Sequence, residues 1–143
     1  MKKEYLHINK GFSLIEVLLT ISIFSMFMVA LIGVLSIGEE SSSLAGKRIQ
    51  AVYLAEEGLE ALRNIRDENF INLVNGPYGL VKIGNQWNFS ALPDVTGIFT
   101  RTINISTVNA NIKLVTSTIT WQQNLQRNGS VILTTYLTNW KPF

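Results

Sequence analysis

The feature that most constrains this chain is an apolar run near its start. Residues 12–37 read FSLIEVLLTISIFSMFMVALIGVLSI, and Glu16 is the only charged residue among these 26. As a helix rising about 1.5 Å per residue, the run reaches roughly 39 Å, more than the ~30 Å hydrocarbon thickness of a bilayer. It also exceeds the roughly 7–15 residues of a secretory signal's apolar region. No small-residue cleavage site follows it, because Ser36-Ile37-Gly38 is a poor match. The expectation is a retained membrane helix.

Charge placement supports that expectation. The formal net charge is +2. Lys2, Lys3 and Lys10 against Glu4 supply all of it, and from Phe12 onward nine Lys/Arg balance nine Asp/Glu. A nucleic-acid binder carries its basic footprint on the folded domain. Here the excess lies on a short segment beside an apolar run, so no nucleic-acid partner is indicated. Lysines ahead of the helix predict a cytoplasmic N-terminus with the remainder outside. Lys47 and Arg48 pull the other way, partly offset by Glu39 and Glu40.

Glu16 is the anomaly of the run. A carboxylate near the bilayer centre costs about 2.5–3.5 kcal/mol on insertion scales, and less near the interface. Glu16 is four residues in, so it is either a tolerated interfacial charge or one that pairs with a cation inside a protein assembly.

Its surroundings are Lys10-Gly11-Phe12-Ser13-Leu14-Ile15-Glu16-Val17-Leu18-Leu19. This stretch resembles the type IV prepilin signature: a short basic leader ending in Gly, then Phe, a hydroxyl residue, Leu, Ile and Glu, then a long apolar helix. The resemblance implies a prepilin peptidase that cuts between Gly11 and Phe12 and N-methylates the new Phe12 amine. It implies that Glu16 neutralises the Phe12 amine of a neighbouring subunit during assembly. The implied partners are the peptidase, other pilin or pseudopilin subunits, membrane lipid and assembly-platform proteins. The implied location is the inner, cytoplasmic membrane as a single-pass chain, followed by an extracellular or periplasmic filament. One departure is visible. Many major pilins carry a proline part-way along this helix, where this chain has Gly33 and then Gly38. Glycine loosens a helix by roughly 1 kcal/mol relative to Ala without forcing a kink.

Beyond the run, Gly38–Ser43 (GEESSS) marks the exit from the membrane. Helical periodicity then resumes. Leu44, Ala51, Ala55, Leu59 and Leu62 share one face, with Leu54, Gly58 and Ile65 beside them, while Glu56, Glu60, Arg63 and Asp67 share another. Glu60–Arg63 and Arg63–Asp67 are spaced to pair. The acidic group Glu56, Glu57 and Glu60 reads as a solvated face rather than a metal site, since it lacks histidine and has arginines close by. Residues 12 to about 69 thus read as one long helix with an interruption allowed at Gly38–Ser43.

From Asn72 the signals change. Asn75-Gly76-Pro77 reads as the turn that ends the helix. Leu80–Ile83 and Trp87–Phe89 are short strand candidates split by Gly84-Asn85, and Leu92–Gly97 reads as a loop. Phe99–Ile105 alternates, with Phe99, Ile103 and Ile105 inward. Arg101 shares the inward parity, so its head is expected to reach an edge. Ile112–Trp121 and Val131–Trp140 are further strands. Asn128-Gly129 between them predicts a two-residue hairpin turn, which would set Trp121 opposite Tyr136. The fold class is α+β: a long N-terminal helix, membrane-spanning then amphipathic, packed on a C-terminal antiparallel β-sheet, as in pilins. The expected division is a leader 1–11, a transmembrane helix 12–37, an amphipathic continuation 38–70 and a β-sheet head 71–143.

Trp87, Trp121, Tyr136 and Trp140 read as core packing in preference to a ligand platform. Three Asn-x-Ser sequons, at Asn88, Asn104 and Asn128, carry little weight in an Asn- and Ser-rich chain. Residues 51–60 (AVYLAEEGLE) are similar to the segment after the membrane helix in minor pilins of the PilV type and in pseudopilins. The absence of cysteine argues against a major pilin with a disulfide-closed loop.

The residue inventory argues against an enzyme. The single histidine, His7, lies in the segment expected to be removed, and there is no cysteine. A mature chain with neither lacks the commonest general base, the usual nucleophile pairings and most transition-metal ligands. No Gly-rich phosphate loop is present, and no cofactor is expected. Two functions remain. One is a structural subunit of a type IV pilus or pseudopilus. The other is a membrane-anchored binding or adhesin module that does not polymerise.

Overall fold

The computed structural model describes residues 11–124 and 127–140. The chain divides into two compact units, one ending at Ser42 and one running from Ser43 onward. One helix, α1 (Leu14–Glu68), contributes to both. It runs as α-helix through Gly33 and through Gly38–Ser43, so the allowed interruption is not used. Leader residues 1–10, including His7 and the three lysines, lie outside the described residues.

In the first unit, every described residue from Gly11 to Ser42 is exposed. Four hydroxyls within the apolar run are satisfied by their own backbone. Thr20 Oγ1 donates to Val17 O (2.8 Å), Ser22 Oγ to Leu18 O (2.8 Å), Ser25 Oγ to Ile21 O (2.7 Å) and Ser36 Oγ to Ile32 O (3.1 Å). Such back-bonding lets hydroxyls sit in an apolar medium without an unpaired donor.

In the second unit, α1 packs on a six-stranded antiparallel sheet. The strands are β1 (Gly76–Ile83), β2 (Gln86–Ser90), β3 (Asp94–Thr96), β4 (Phe99–Asn109), β5 (Ile112–Asn124) and β6 (Arg127–Thr138). The order across the sheet is β2-β1-β4-β5-β6, with β3 pairing the start of β4. The long helix on an antiparallel sheet is the pilin-like α+β fold expected.

The helix face follows the 3.6-residue period. Its buried residues are Ala51, Ala55, Gly58, Leu59, Ala61, Leu62 and Ile65. Leu44 and Leu54, expected on this stripe, are half-buried. The small residues set a close approach to the sheet. A Cβ on Gly58 would stand 2.8 Å from Ser117 Oγ and 3.1 Å from Arg101 Cδ. Parity on β4 is as read: Phe99, Ile103 and Ile105 are buried.

Several local expectations are corrected. α1 stops at Glu68, and a 3₁₀ turn (Phe70–Asn72) follows, with Asn69 Oδ1 accepting from Ile71 N (3.0 Å). Gly76 and Pro77 therefore do not end the helix. They open β1, where Pro77 has a neighbouring strand on one side only. The Leu92–Gly97 loop contains the short strand β3. Asn128 and Gly129 are not a turn: they pair within β6 to Gln122 and Trp121, and the β5–β6 connection falls at 125–126, outside the described residues. Trp121 consequently faces Gly129, while Tyr136 faces Leu114. The physical reason is space. The Trp121 indole lies across position 129 and leaves no room for a side chain there.

The core has two apolar clusters. One holds Leu59, Leu62, Ile65, Leu73, Leu80, Ile103, Ile105, Val115 and Leu137. The other holds Ala51, Ala55, Phe99, Ile119, Trp121 and Val131. In sequence along α1, β4 and β5, the residues between them are Gly58, Arg101 and Ser117 respectively, so a thin polar layer interrupts the core.

Candidate functional site

The candidate site begins where the helix begins. Gly11, Phe12 and Ser13 precede α1 without regular structure. The Ser13 carbonyl accepts from Glu16 N (3.0 Å) and Val17 N (3.2 Å), which starts the helix. Ser13 and Glu16 have the S-x-x-E spacing typical of a helix start. Glu16 lies in the first turn, where a carboxylate faces the positive end of the helix dipole.

The junction is open. Phe12 is 84% exposed, and a Cβ built on Gly11 would meet nothing within 4 Å. The structure thus places Gly11, Phe12 and Glu16 in one accessible stretch. Among the described residues it does not bring Glu16 to a cation. The ion pairs among the described residues are Arg63–Glu60, Arg66–Asp67, Arg101–Glu57 and Arg101–Asp94. What the helix offers after Glu16 is an apolar surface: Leu18, Leu19, Ile23, Phe24, Phe27, Ile32 and their neighbours are all exposed. It is the one described helix long and apolar enough to cross a membrane.

Residues 6–32 match the family model of the prokaryotic N-terminal methylation motif. The N-terminal segment of the chain is type IV prepilin-like. The match takes in Gly11, Phe12 and Glu16 and ends within α1. Comparison with curated proteins and with solved structures gave no match. The prepilin motif implies processing by a prepilin peptidase and assembly with pilins, and it marks a structural, non-enzymatic chain.

The head of this prepilin-like chain holds a polar constellation that the sequence reading missed. Arg101 is buried (5% exposed) instead of reaching an edge. Its Nη2 donates to Asp94 Oδ2 (2.6 Å) and its Nε to the same oxygen (3.0 Å). Its Nη1 donates to Leu54 O and to Glu57 Oε2, both at 3.0 Å. The guanidinium carbon lies 5.8 Å from the Trp87 ring centre. Asp94 also accepts from Leu80 N (3.3 Å). One guanidinium therefore ties α1, β3 and β4 together, and Asp94 extends the tie to β1. Glu57 belongs to this tie while its side chain stays about half exposed (49%) on the solvated face. Inward parity at Arg101 was the available signal: a buried cation demands a buried carboxylate, and Asp94 is the only acidic residue after Glu68.

The four aromatics do not gather into a platform. Trp121 is buried and stacks obliquely on Phe99 (centroids 5.6 Å apart). Trp87 is half-buried against the core. Tyr136 and Trp140 are exposed, against the core expectation, and Trp140 Nε1 donates to Asp67 Oδ1 (3.1 Å). A groove of about 790 Å³ runs between α1 and the β3–β4 turn and is lined by Tyr53, Leu54, Ile98 and Phe99 among others. Among the described residues Lys47 is the only charged one lining it, so these walls offer no acid–base pair.

Proposed function

We propose that the chain is a structural subunit of a type IV pilus or a related pseudopilus. It enters the membrane as a prepilin with its N-terminus cytoplasmic and its head outside. The leader, residues 1–11, is cut between Gly11 and Phe12, and the new Phe12 amine is N-methylated. Residues 12–37 then serve as the assembly helix, 38–70 as its amphipathic continuation and 71–143 as the head. Subunits pack through the apolar surface of α1, and Glu16 pairs with the Phe12 amine of a neighbour.

The observation that carries this reading is the conjunction at the start of α1. A match to the methylation motif coincides with an accessible Gly11–Phe12 junction, a carboxylate in the first helical turn and a wholly exposed apolar run along the N-terminal part of α1. A bare anchor needs the last of these and none of the others. In an apolar medium a carboxylate alone is costly, whereas one paired with an ammonium roughly breaks even. The Glu16 contact therefore selects register more than it adds stability. The lack of cysteine favours a minor subunit over a disulfide-closed major one.

Intact-mass analysis of the membrane fraction tests the proposal. The expected product lacks Met1–Gly11 and carries one added methyl group. Full-length, unmethylated protein in cells with an active prepilin peptidase would refute it and leave the membrane-anchored, non-polymerising binding module.

A further inference from the structure

The border of the head sheet at β6 is unguarded. β5 pairs with one side of β6, and among the described residues no element pairs with the other. A border strand presents a row of backbone N–H and C=O groups to any second strand, and natural sheets blunt such edges with charges, proline, bulges or short length. Between Ser130 and Thr138, β6 uses none of these devices. The stretch SVILTTYLT has no charged residue and no proline, and its ladder to β5 runs without a register shift. At about 3.3 Å per residue these nine residues offer roughly 30 Å of open edge. The helix does not cover it. A groove of about 620 Å³ opens between α1 at Tyr53, Glu56 and Glu60 and β6 at Leu133, Thr134 and Thr135.

The side chains along this edge match a copy of themselves. Ile132 is 61% exposed and Tyr136 63% exposed, and Thr134 lies midway between them. An antiparallel second β6, related by a two-fold axis at Thr134, sets Ile132 of each copy across from Tyr136 of the other. Thr134 then meets its own counterpart, and Ser130 meets Thr138. A β-branched residue opposite an aromatic is a favourable cross-strand pair, and an uncharged strand brings no like charges together.

We infer that β6 is a self-pairing edge at which a second copy of this chain adds its own β6, antiparallel, in the register centred on Thr134. The pairing merges two head sheets through main-chain hydrogen bonds, the mode known as β-augmentation. It stands apart from the assembly role proposed above, since it needs neither cleavage at Gly11 nor the Glu16 contact.

The absence of native cysteine makes the test clean. Directly opposed residues on antiparallel strands have Cα atoms about 4.5–5.5 Å apart, inside the ~4.4–6.8 Å range of disulfides. Single-cysteine variants of the full-length chain, in native membranes under mild oxidation, report the register on a non-reducing gel. T134C is expected to give a dominant disulfide dimer. I132C and Y136C alone give little, because like positions then lie about 13 Å apart along the strand, while the two variants co-expressed give a mixed dimer. S130C co-expressed with T138C is a second, independent pair in the same register, so misfolding at one position does not decide the matter. T118C, on the interior strand β5, is the control and should stay monomeric. Self-pairing is overturned if T134C stays monomeric or dimerises no more than T118C. It is equally overturned if T134C links only to a different protein. A T134C dimer without either mixed dimer overturns the register as stated.

Discussion

Trp121 lies directly across from Gly129, and its indole occupies the space that a side chain at 129 would need. The pair explains why an Asn-Gly sequence sits inside a strand. It also makes a coupled prediction. Gly129→Ala should destabilise the head by about 1–3 kcal/mol through overpacking, and Trp121→Ala by about 3–5 kcal/mol through loss of a buried aromatic. With Trp121 already Ala, the change at 129 should cost little. Urea unfolding of the four chains, followed by far-UV circular dichroism, gives the cycle. Additive losses would show that the two residues do not share this space.

Arg101 should be the most sensitive charged position in the head. Removing one partner of a buried ion pair costs about 3–5 kcal/mol, because the other charge is left without its counter-ion. Arg101→Ala is expected to fall in that range. The carboxylates should rank unequally. Asp94 is 19% exposed and Glu57 49% exposed at the side chain, so Asp94→Asn should cost clearly more than Glu57→Gln, whose contribution water screens to about 0–1 kcal/mol. Equal losses in thermal unfolding would contradict the ranking.

Ser117 and Gly58 predict opposite outcomes at one contact. The Ser117 hydroxyl is fully buried and finds no hydrogen-bond partner among the described residues. Ser117→Ala removes a polar group whose unpaired burial costs about 1–3 kcal/mol, so this change should raise the unfolding midpoint. Gly58→Ala brings a methyl within 2.8 Å of that hydroxyl. The ~1 kcal/mol helix-propensity gain should be outweighed by an overpacking cost of about 1–3 kcal/mol. In the Ser117→Ala background the penalty at 58 should shrink. A stabilising Gly58→Ala in the parent chain would show that the helix can lift off the sheet at no cost.

Glu16→Val should leave membrane insertion intact, since it makes the apolar run continuous. It should reduce incorporation into filaments or pseudofilaments, because the Phe12 amine of a neighbour then lacks its counter-charge. Membrane fractionation and filament shearing separate the two effects. Wild-type levels of Glu16→Val in sheared filaments would remove Glu16 from the assembly mechanism.

The long helix was legible because its evidence is local. A continuous apolar run and a 3.6-residue stripe can be read from neighbours within a few positions. The N-terminal motif was legible for the same reason, since its spacing is linear. The strand alternation of β4 placed Phe99, Ile103 and Ile105 correctly, and Gly84-Asn85 split β1 from β2 as expected. The failures were non-local. Asn128-Gly129 has strong turn chemistry, but the demand of Trp121 for space overrode it. Arg101 was placed at an edge because its partner Glu57 lies 44 residues away. Its other partner, Asp94, sits seven residues away in a stretch that reads as a loop. Composition identified Tyr136 as core-forming, yet even-numbered positions of β6 point outward, and parity there depends on where the hairpin turns.

The back-bonded hydroxyls in the apolar run have a mechanical consequence. With Thr20, Ser22, Ser25 and Ser36 each closed onto its own helix, the outside of that rod carries no polar handle along its length. Sliding or turning it against lipid, or against another such rod, breaks no hydrogen bond. The energy profile along its axis is nearly flat, like a greased shaft in a sleeve. In the assembly proposed above, Glu16 is the single notch on the shaft: one carboxylate near one end would fix an axial position that dozens of interchangeable methyl contacts leave free.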